Sequence, residues 1–198
     1  MNENIEIIDN FLDEKYFNDL YNIAISPNFP YYLSRHKFTV SDDTIKNNLN
    51  YYKNINEYIQ FVHCFYLSND PDNDNKEYKS ETLFIIDKFI HTLINKKKYK
   101  KFELLRAKIN FQPRIENQNN NQHNCPHTDD NRDHTVFLFY INDSDGDTFF
   151  FKNKKLFKRI SPKKNRLVIF DGKTEHAGSH PIKNDFRVVL NMDGITYE

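Results

Sequence analysis

From residue 102 onward the chain breaks into short apolar or alternating runs, at 102–111, 135–142, 148–151, 156–160, 166–170 and 186–191, each bounded by turn-forming residues. Short strands at roughly ten-residue spacing are the pattern of a β-sandwich or jelly roll. The preceding half reads differently. Residues 5–8 form a short strand pattern, and 11–25 carries Phe17, Leu20, Tyr21 and Ala24 at helical spacing behind Asp13 as N-cap, with Pro27 and Pro30 ending the helix. Ser80 is placed to cap a second helix over 81–94, with Leu83, Ile86, Phe89, Ile90 and Leu93 as its apolar stripe. Helices ahead of strands imply an α+β arrangement, in which a helical layer supports a β core. Residues 31–56 read as a covering segment, 57–67 as strand or helix, and 68–79 as a polar loop.

Composition narrows the class. Lys and Arg total 28 against 28 Asp and Glu, and the zero net charge excludes a dedicated DNA-coating protein. Two cysteines cannot staple a disulfide-rich secreted scaffold. No apolar run approaches the roughly 18 residues of a membrane span, and the polar, acidic start is unlike a signal peptide. A soluble, cytoplasmic protein is the expectation, in the host cytoplasm if the source is viral. With 18 Phe and 12 Tyr, the core is expected to be built from aromatic rings. The basic clusters at 96–101, 152–158 and 163–166 read as solvated faces, with nucleic-acid contact left open.

The chemistry gathers around His127-Thr128-Asp129 and His176. In extended chain, residues i and i+2 project to the same side, so His127 and Asp129 present an imidazole and a carboxylate to one point. A second imidazole from an adjacent strand, His176, completes a facial set of two His and one carboxylate. That set suits non-haem Fe(II), because it leaves open positions on the metal. Arg187 lies within the apolar run Phe186-Arg187-Val188-Val189-Leu190, where a cation is costly unless an anion awaits it. Its forked guanidinium matches a carboxylate bidentately. Tyr140, on the strand after the metal motif, brings a hydroxyl that could share that carboxylate.

These pieces resemble the catalytic half of the 2-oxoglutarate and Fe(II)-dependent dioxygenases, in their prolyl 4-hydroxylase-like branch. The stretch 105–194 carries the resemblance, through His127-Thr128-Asp129, Phe139-Tyr140-Ile141-Asn142, Gly146-Asp147-Thr148-Phe149, Arg166-Leu167-Val168-Ile169-Phe170, His176 and Arg187. Small stand-alone versions with the turn Asn-Asp-Ser-Asp-Gly-Asp-Thr look similar to ones encoded by marine phages. The resemblance implies a double-stranded β-helix, or jelly roll, over 102–198, with 1–101 supplying helical support and covering segments of one domain. It implies that His127, Asp129 and His176 bind iron, and that Arg187 pairs with the distal carboxylate of 2-oxoglutarate. Tyr140 matches a position that bonds the same carboxylate, and Thr148 faces that region. O2 is the second cosubstrate and ascorbate a candidate auxiliary. Collagen-type members typically carry Lys where this chain has Arg187, which is the choice of the oxygen-sensing branch.

Lys108, Asn110 and Gln112 share one strand face, as a pocket wall with Asn110 in cosubstrate contact or as the solvent side of an edge strand. His123, His134 and His180 compete as ligands, with His134 and His180 taken as surface or outer residues. Cys125 reads as a bystander or an oxidation target, and 117–124 as a lid or a plain surface loop. The reaction implied is hydroxylation of a peptidyl proline or another amino-acid side chain. The same chemistry on a nucleobase, nucleotide or free small molecule, and a non-catalytic jelly-roll binding module, remain alternatives.

Overall fold

The computed structural model describes residues 4–34, 55, 59–70 and 76–197. The expected covering segment and the acidic centre of the 68–79 loop fall largely outside these residues. In chain order the elements are β1 (Glu6–Ile8), α1 (Glu14–Ala24), β2 (Tyr32–Ser34), β3 (Gln60–Leu67), β4 (Tyr78–Lys79), a 3-10 turn (Leu83–Ile86), α2 (Asp87–Lys97), β5 (Lys101–Pro113), β6 (Thr135–Tyr140), β7 (Thr148–Lys152), β8 (Lys155–Ile160), β9 (Arg166–Asp171), β10 (Glu175–Gly178) and β11 (Phe186–Tyr197). The larger sheet runs β1-β9-β6-β11-β5-β3-β2, with β4 paired to β3, and the smaller runs β10-β7-β8. All of the strand pairs are antiparallel. Together they form the expected jelly-roll core, and the amino-terminal half adds β1–β4 to the larger sheet as well as helices.

Both faces of the larger sheet are covered, which is why its central strands are apolar without strict alternation. Phe137, Phe139, Leu167, Ile169, Val188, Leu190 and Met192 pack outward against Phe11, Phe17 and Leu20 around α1 and Phe89 and Leu93 of α2. Val136, Leu138, Tyr140, Val168, Phe170 and Val189 turn inward and meet Phe150 and Ile160 of the smaller sheet. Period-2 alternation therefore assigns every residue of these strands to one of two cores. On β11 the inward set is Arg187, Val189, Asn191 and Asp193, and on β5 it is Arg106, Lys108, Asn110 and Gln112, so the polar residues gather between the sheets.

Asp13 caps α1 as expected, its carboxylate accepting from the Tyr16 amide at 2.9 Å. The second helix begins later than its apolar stripe suggests. The Ser80 hydroxyl accepts from the Thr82 amide at 3.2 Å, and the chain tightens into the 3-10 turn before α2 starts at Asp87. Ile86, Phe89 and Leu93 of the stripe are still buried, because the 3-10 turn keeps Ile86 facing the core, and Leu83 and Ile90 pack against it half-buried. Residues 60–67 resolve as strand.

Phe139 packs its ring against Phe89 at 5.1 Å, Phe11 at 6.2 Å and Phe17 at 6.3 Å between ring centroids. Phe139→Ala is expected to lower folding stability by about 3–5 kcal/mol, read as a reduced urea midpoint with an unchanged slope.

Candidate active site

A cavity of about 780 Å³ opens between the sheets. At one end, His127 and His176 face each other as a backbone-paired couple. The His127 amide donates to the His176 carbonyl at 3.0 Å, and the reverse bond is 2.9 Å. This pairing joins the metal-motif segment to β10 and sets the two imidazole centroids 4.9 Å apart. Each ring is oriented by a carbonyl. Nδ1 of His127 lies 2.9 Å from the Cys125 oxygen, and Nδ1 of His176 lies 3.1 Å from the Thr174 oxygen. A carbonyl only accepts, so both Nδ1 atoms carry the proton, and both Nε2 atoms are turned toward Asp129.

Asp129 completes the group. Its Oδ1 lies 3.7 Å from His127 Nε2 and its Oδ2 3.3 Å from His176 Nε2, and the three donor atoms fall within 4.8 Å of one another. Oδ2 accepts from Asn191 Nδ2 at 3.0 Å, and Oδ1 is buried against the Arg106 guanidinium. Two neutral imidazole nitrogens, one carboxylate and no sulfur fit a first-row divalent metal with open positions better than a closed structural zinc site.

Behind Asp129 lies an ion-pair chain that the motifs did not reveal. Arg106 Nη2 sits 2.5 Å from Asp129 Oδ1 and 2.7 Å from Asp193 Oδ2. Burial alone would raise the Asp129 carboxyl, but the Arg106 guanidinium outweighs it and holds the group well below the usual carboxylate range. Asp193, fully buried, is pushed the other way, up to about 6, by burial and by the charge of Asp129. The signal was present in Leu104-Leu105-Arg106-Ala107, a cation in an apolar run like that of Arg187.

Arg187 occupies the other end. The guanidinium is buried, with Nη1 donating to Gln112 Oε1 and Nη2 to Thr148 Oγ1 at 2.9 Å. Both partners are neutral, its Nε has no hydrogen bond, and burial pushes the group's pKa down. Tyr140 donates to the same Thr148 oxygen at 2.7 Å, so its hydroxyl stands one hydrogen bond behind the cavity wall. Thr148 Oγ1 thus accepts twice, leaving its own proton to donate into the cavity. Gly146 and Gly178 make room for the guanidinium. A Cβ at Gly146 would lie 3.0 Å from Arg187 Cδ and 2.6 Å from the Ser179 carbonyl, and one at Gly178 would lie 3.2 Å from Nη1.

Lys108, Asn110 and Gln112 line the cavity. Their strand is no edge, since β5 lies between β11 and β3, and the pocket-wall alternative therefore holds. The Asn110 Oδ1 is buried without a hydrogen bond. His123, His134 and His180 stay apart from the group of His127, Asp129 and His176. All three are buried, which corrects the surface placement of His134 and His180. Their Nδ1 atoms are satisfied by the carbonyls of Asn124, Arg132 and Pro113, respectively, and burial pushes His180 down to about 4. Cys125 acts on His127 through its carbonyl. The 117–124 loop is tied down by Arg159, which donates to Asn121 Oδ1 and the Asn120 carbonyl, and by Gln118, which donates to the His180 carbonyl. Among the described residues, no helix is long and apolar enough to cross a membrane.

No protein-family model and no curated protein matches the sequence. Solved structures do match. A viral collagen prolyl hydroxylase from Paramecium Bursaria Chlorella virus-1, solved as a 2OG complex, shares 18% identity over 100% of this chain and 97% of its own, with a TM-score of 0.54. A Trichoplax adhaerens prolyl hydroxylase, in complex with a hypoxia inducible factor oxygen degradation domain peptide fragment, shares 14% over 98% of this chain and 84% of its own, with a TM-score of 0.59. A Pseudomonas putida prolyl-4-hydroxylase shares 13% over 98% and 92%, with a TM-score of 0.53. The chain accordingly has the jelly-roll fold on which these prolyl hydroxylases are built.

Proposed function

We propose that this chain is an Fe(II)- and 2-oxoglutarate-dependent dioxygenase that hydroxylates a substrate C–H, with a prolyl or other amino-acid side chain as the target. The observation that carries this reading is the pairing of two unfulfilled sites in one cavity. A facial set of two imidazoles and a carboxylate stands at one end, and a buried guanidinium bonded only to neutral side chains at the other. A dicarboxylate with a metal-chelating 2-oxo acid end and a distal carboxylate satisfies both. His127, Asp129 and His176 would hold the metal, while Arg187 and the Thr148 hydroxyl would receive the distal carboxylate, with Tyr140 and Gln112 orienting them. Asn110 offers a polar contact between the two ends. When bound, iron supplies the redox chemistry by which O2 and 2-oxoglutarate become succinate, CO2 and one oxygen atom inserted into the C–H bond. The protein's own part is to keep one face of the metal position open and to fix the cosubstrate's orientation. The peptide-bound Trichoplax structure and the 2OG-bound viral structure support a peptide substrate and this cosubstrate by fold likeness.

Anaerobic addition of Fe(II) and 2-oxoglutarate is expected to produce a weak visible charge-transfer band, and its absence in the wild-type protein overturns the proposal. The same titration tests Arg187. Loss of a charge-assisted bidentate contact in Arg187→Met is expected to raise the half-saturating 2-oxoglutarate concentration by about 10- to 100-fold. Fe(II) retention, measured separately, is expected to be unchanged. An unaltered 2-oxoglutarate titration would remove Arg187 from the assigned role.

A further inference from the structure

The cavity holds more positive charge than the proposed reaction uses. Among the described residues its charged lining consists of Arg106, Lys108, Arg187 and Asp129. Arg106 is matched by Asp129 and Asp193. A divalent metal and doubly charged 2-oxoglutarate cancel each other. With Arg106, Lys108 and Arg187 protonated, their charges exceed those of Asp129 and Asp193 by one.

Position identifies which cation is in excess. Arg187 lies at the cosubstrate end, opposite Gln112 across the β5–β11 pairing. Lys108 is two strand steps nearer the metal, opposite Asn191, whose side chain holds Asp129. On its other side it is paired with Cys64 of β3, a further cavity residue. No hydrogen bond or ion pair reaches its ammonium from the described residues. Burial, followed by the charge of Arg106, pushes the Lys108 pKa down, and the carboxylates of Asp129 and Asp193 only partly offset this. A lysine held beside an arginine without an anion of its own is costly, and an incoming anionic group would relieve that cost.

We propose that Lys108 is a substrate-binding residue that receives a carboxylate or phosphate group of the primary substrate, so that this enzyme acts on an anion whose charged group lies beside the metal triad. The proposal rests on the oxygenase reading, because the excess charge is counted with metal and cosubstrate in place. It deepens that reading from a hydroxylase of unspecified target to one selecting acidic substrates.

The test uses Mn(II) in place of iron, with 2-oxoglutarate bound, and follows broadening of probe methyl proton lines by the paramagnetic metal. The probes are acetate and methyl phosphate, with acetamide and methanol as neutral counterparts. At least one anion is expected to broaden about tenfold more than its counterpart in the wild-type protein, as befits a charge-assisted bond. Which anion responds separates carboxylate from phosphate. The excess is expected to vanish in Lys108→Met and to survive in Lys108→Arg. Equal broadening of anions and neutral probes overturns the proposal, as does an excess that persists in Lys108→Met. Loss of 2-oxoglutarate broadening in Lys108→Met alone would also overturn it, by assigning the lysine to the cosubstrate. Absence of 2-oxoglutarate broadening in the wild type would instead sink the oxygenase reading itself. If Lys108→Met fails to fold by circular dichroism, Lys108→Gln and the wild-type comparison decide.

Discussion

Asp129→Ala is expected to yield a folded protein that no longer retains iron. Altering a group that merely supports a metal ligand typically costs 10- to 100-fold in affinity, and losing the carboxylate itself is expected to exceed about 100-fold. The two remaining imidazoles would share the site with Arg106, whose charge was offset by Asp129 at 2.5 Å. The fold is expected to survive, because Arg106 keeps Asp193 at 2.7 Å as a one-to-one partner. Removing Asp129 also removes a charge that pushes Asp193 up, which offsets part of the stability that the lowered Asp129 carboxyl contributes at neutral pH. The measurement is iron content by elemental analysis alongside melting curves with and without Mn(II). Wild-type protein is expected to gain melting temperature with metal and the variant to gain none. Stoichiometric iron in Asp129→Ala would exclude this carboxylate as a ligand.

Arg106→Met is expected to produce the opposite division, harming the fold before the metal. It strands Asp129 and Asp193 together in the interior, and breaking a buried ion pair from one side costs about 3–5 kcal/mol. For a chain of this size that corresponds to a melting temperature lower by roughly 10 °C. The deficit depends on pH with a definite sign. In the wild type Asp129 is held low, so its contribution is present at neutral pH and lost on acidification. In the variant Asp129 loses the guanidinium that lowers it most, and Asp193, already raised in the wild type, rises further. The folded form then takes up protons that the unfolded form does not, and stability recovers as pH falls from neutrality toward about 4. The gap between variant and wild type therefore narrows in acid. Arg106→Met/Asp193→Asn is expected to recover part of the loss at neutral pH, since only one carboxylate is left unpaired. Equal melting of Arg106→Met and wild type at neutral pH would show that the chain of charges does not support the fold.

The gathering of His127, Asp129 and His176 was legible because part of its signal is local. His127 and Asp129 are two residues apart, and extended chain turns both to one side. Arg187 was legible because a cation inside an apolar strand demands a reason. Arg106 carries the same signal, but its reason lies in Asp129 and Asp193, which are distant in sequence. Whether Lys108, Asn110 and Gln112 faced a pocket or solvent depended on whether β5 is an edge, and that is decided by its pairing with β3 and β11. The late start of α2 escaped notice because a 3-10 turn keeps an apolar stripe inside nearly as well as an α-helix over one turn. Tyr140 was singled out for a hydroxyl that shares a carboxylate with Arg187; its ring centroid lies 5.7 Å from that guanidinium, and the packing sets Thr148 between its hydroxyl and the cavity.

The place of β11 between β5 and β6 has a consequence for how the molecule comes into being. A chain emerging from the ribosome exposes β3–β5 and β6–β9 well before residues 186–197 arrive to join them. Until then each half offers an unpaired edge, the kind of surface that recruits foreign strands. Arg187, Asn191 and Asp193 all ride on that late-arriving strand, so closing the sheet and completing the cavity are one event. A nascent chain halted before Phe186 would have neither a finished sheet nor the guanidinium and carboxylate that β11 brings to the cavity.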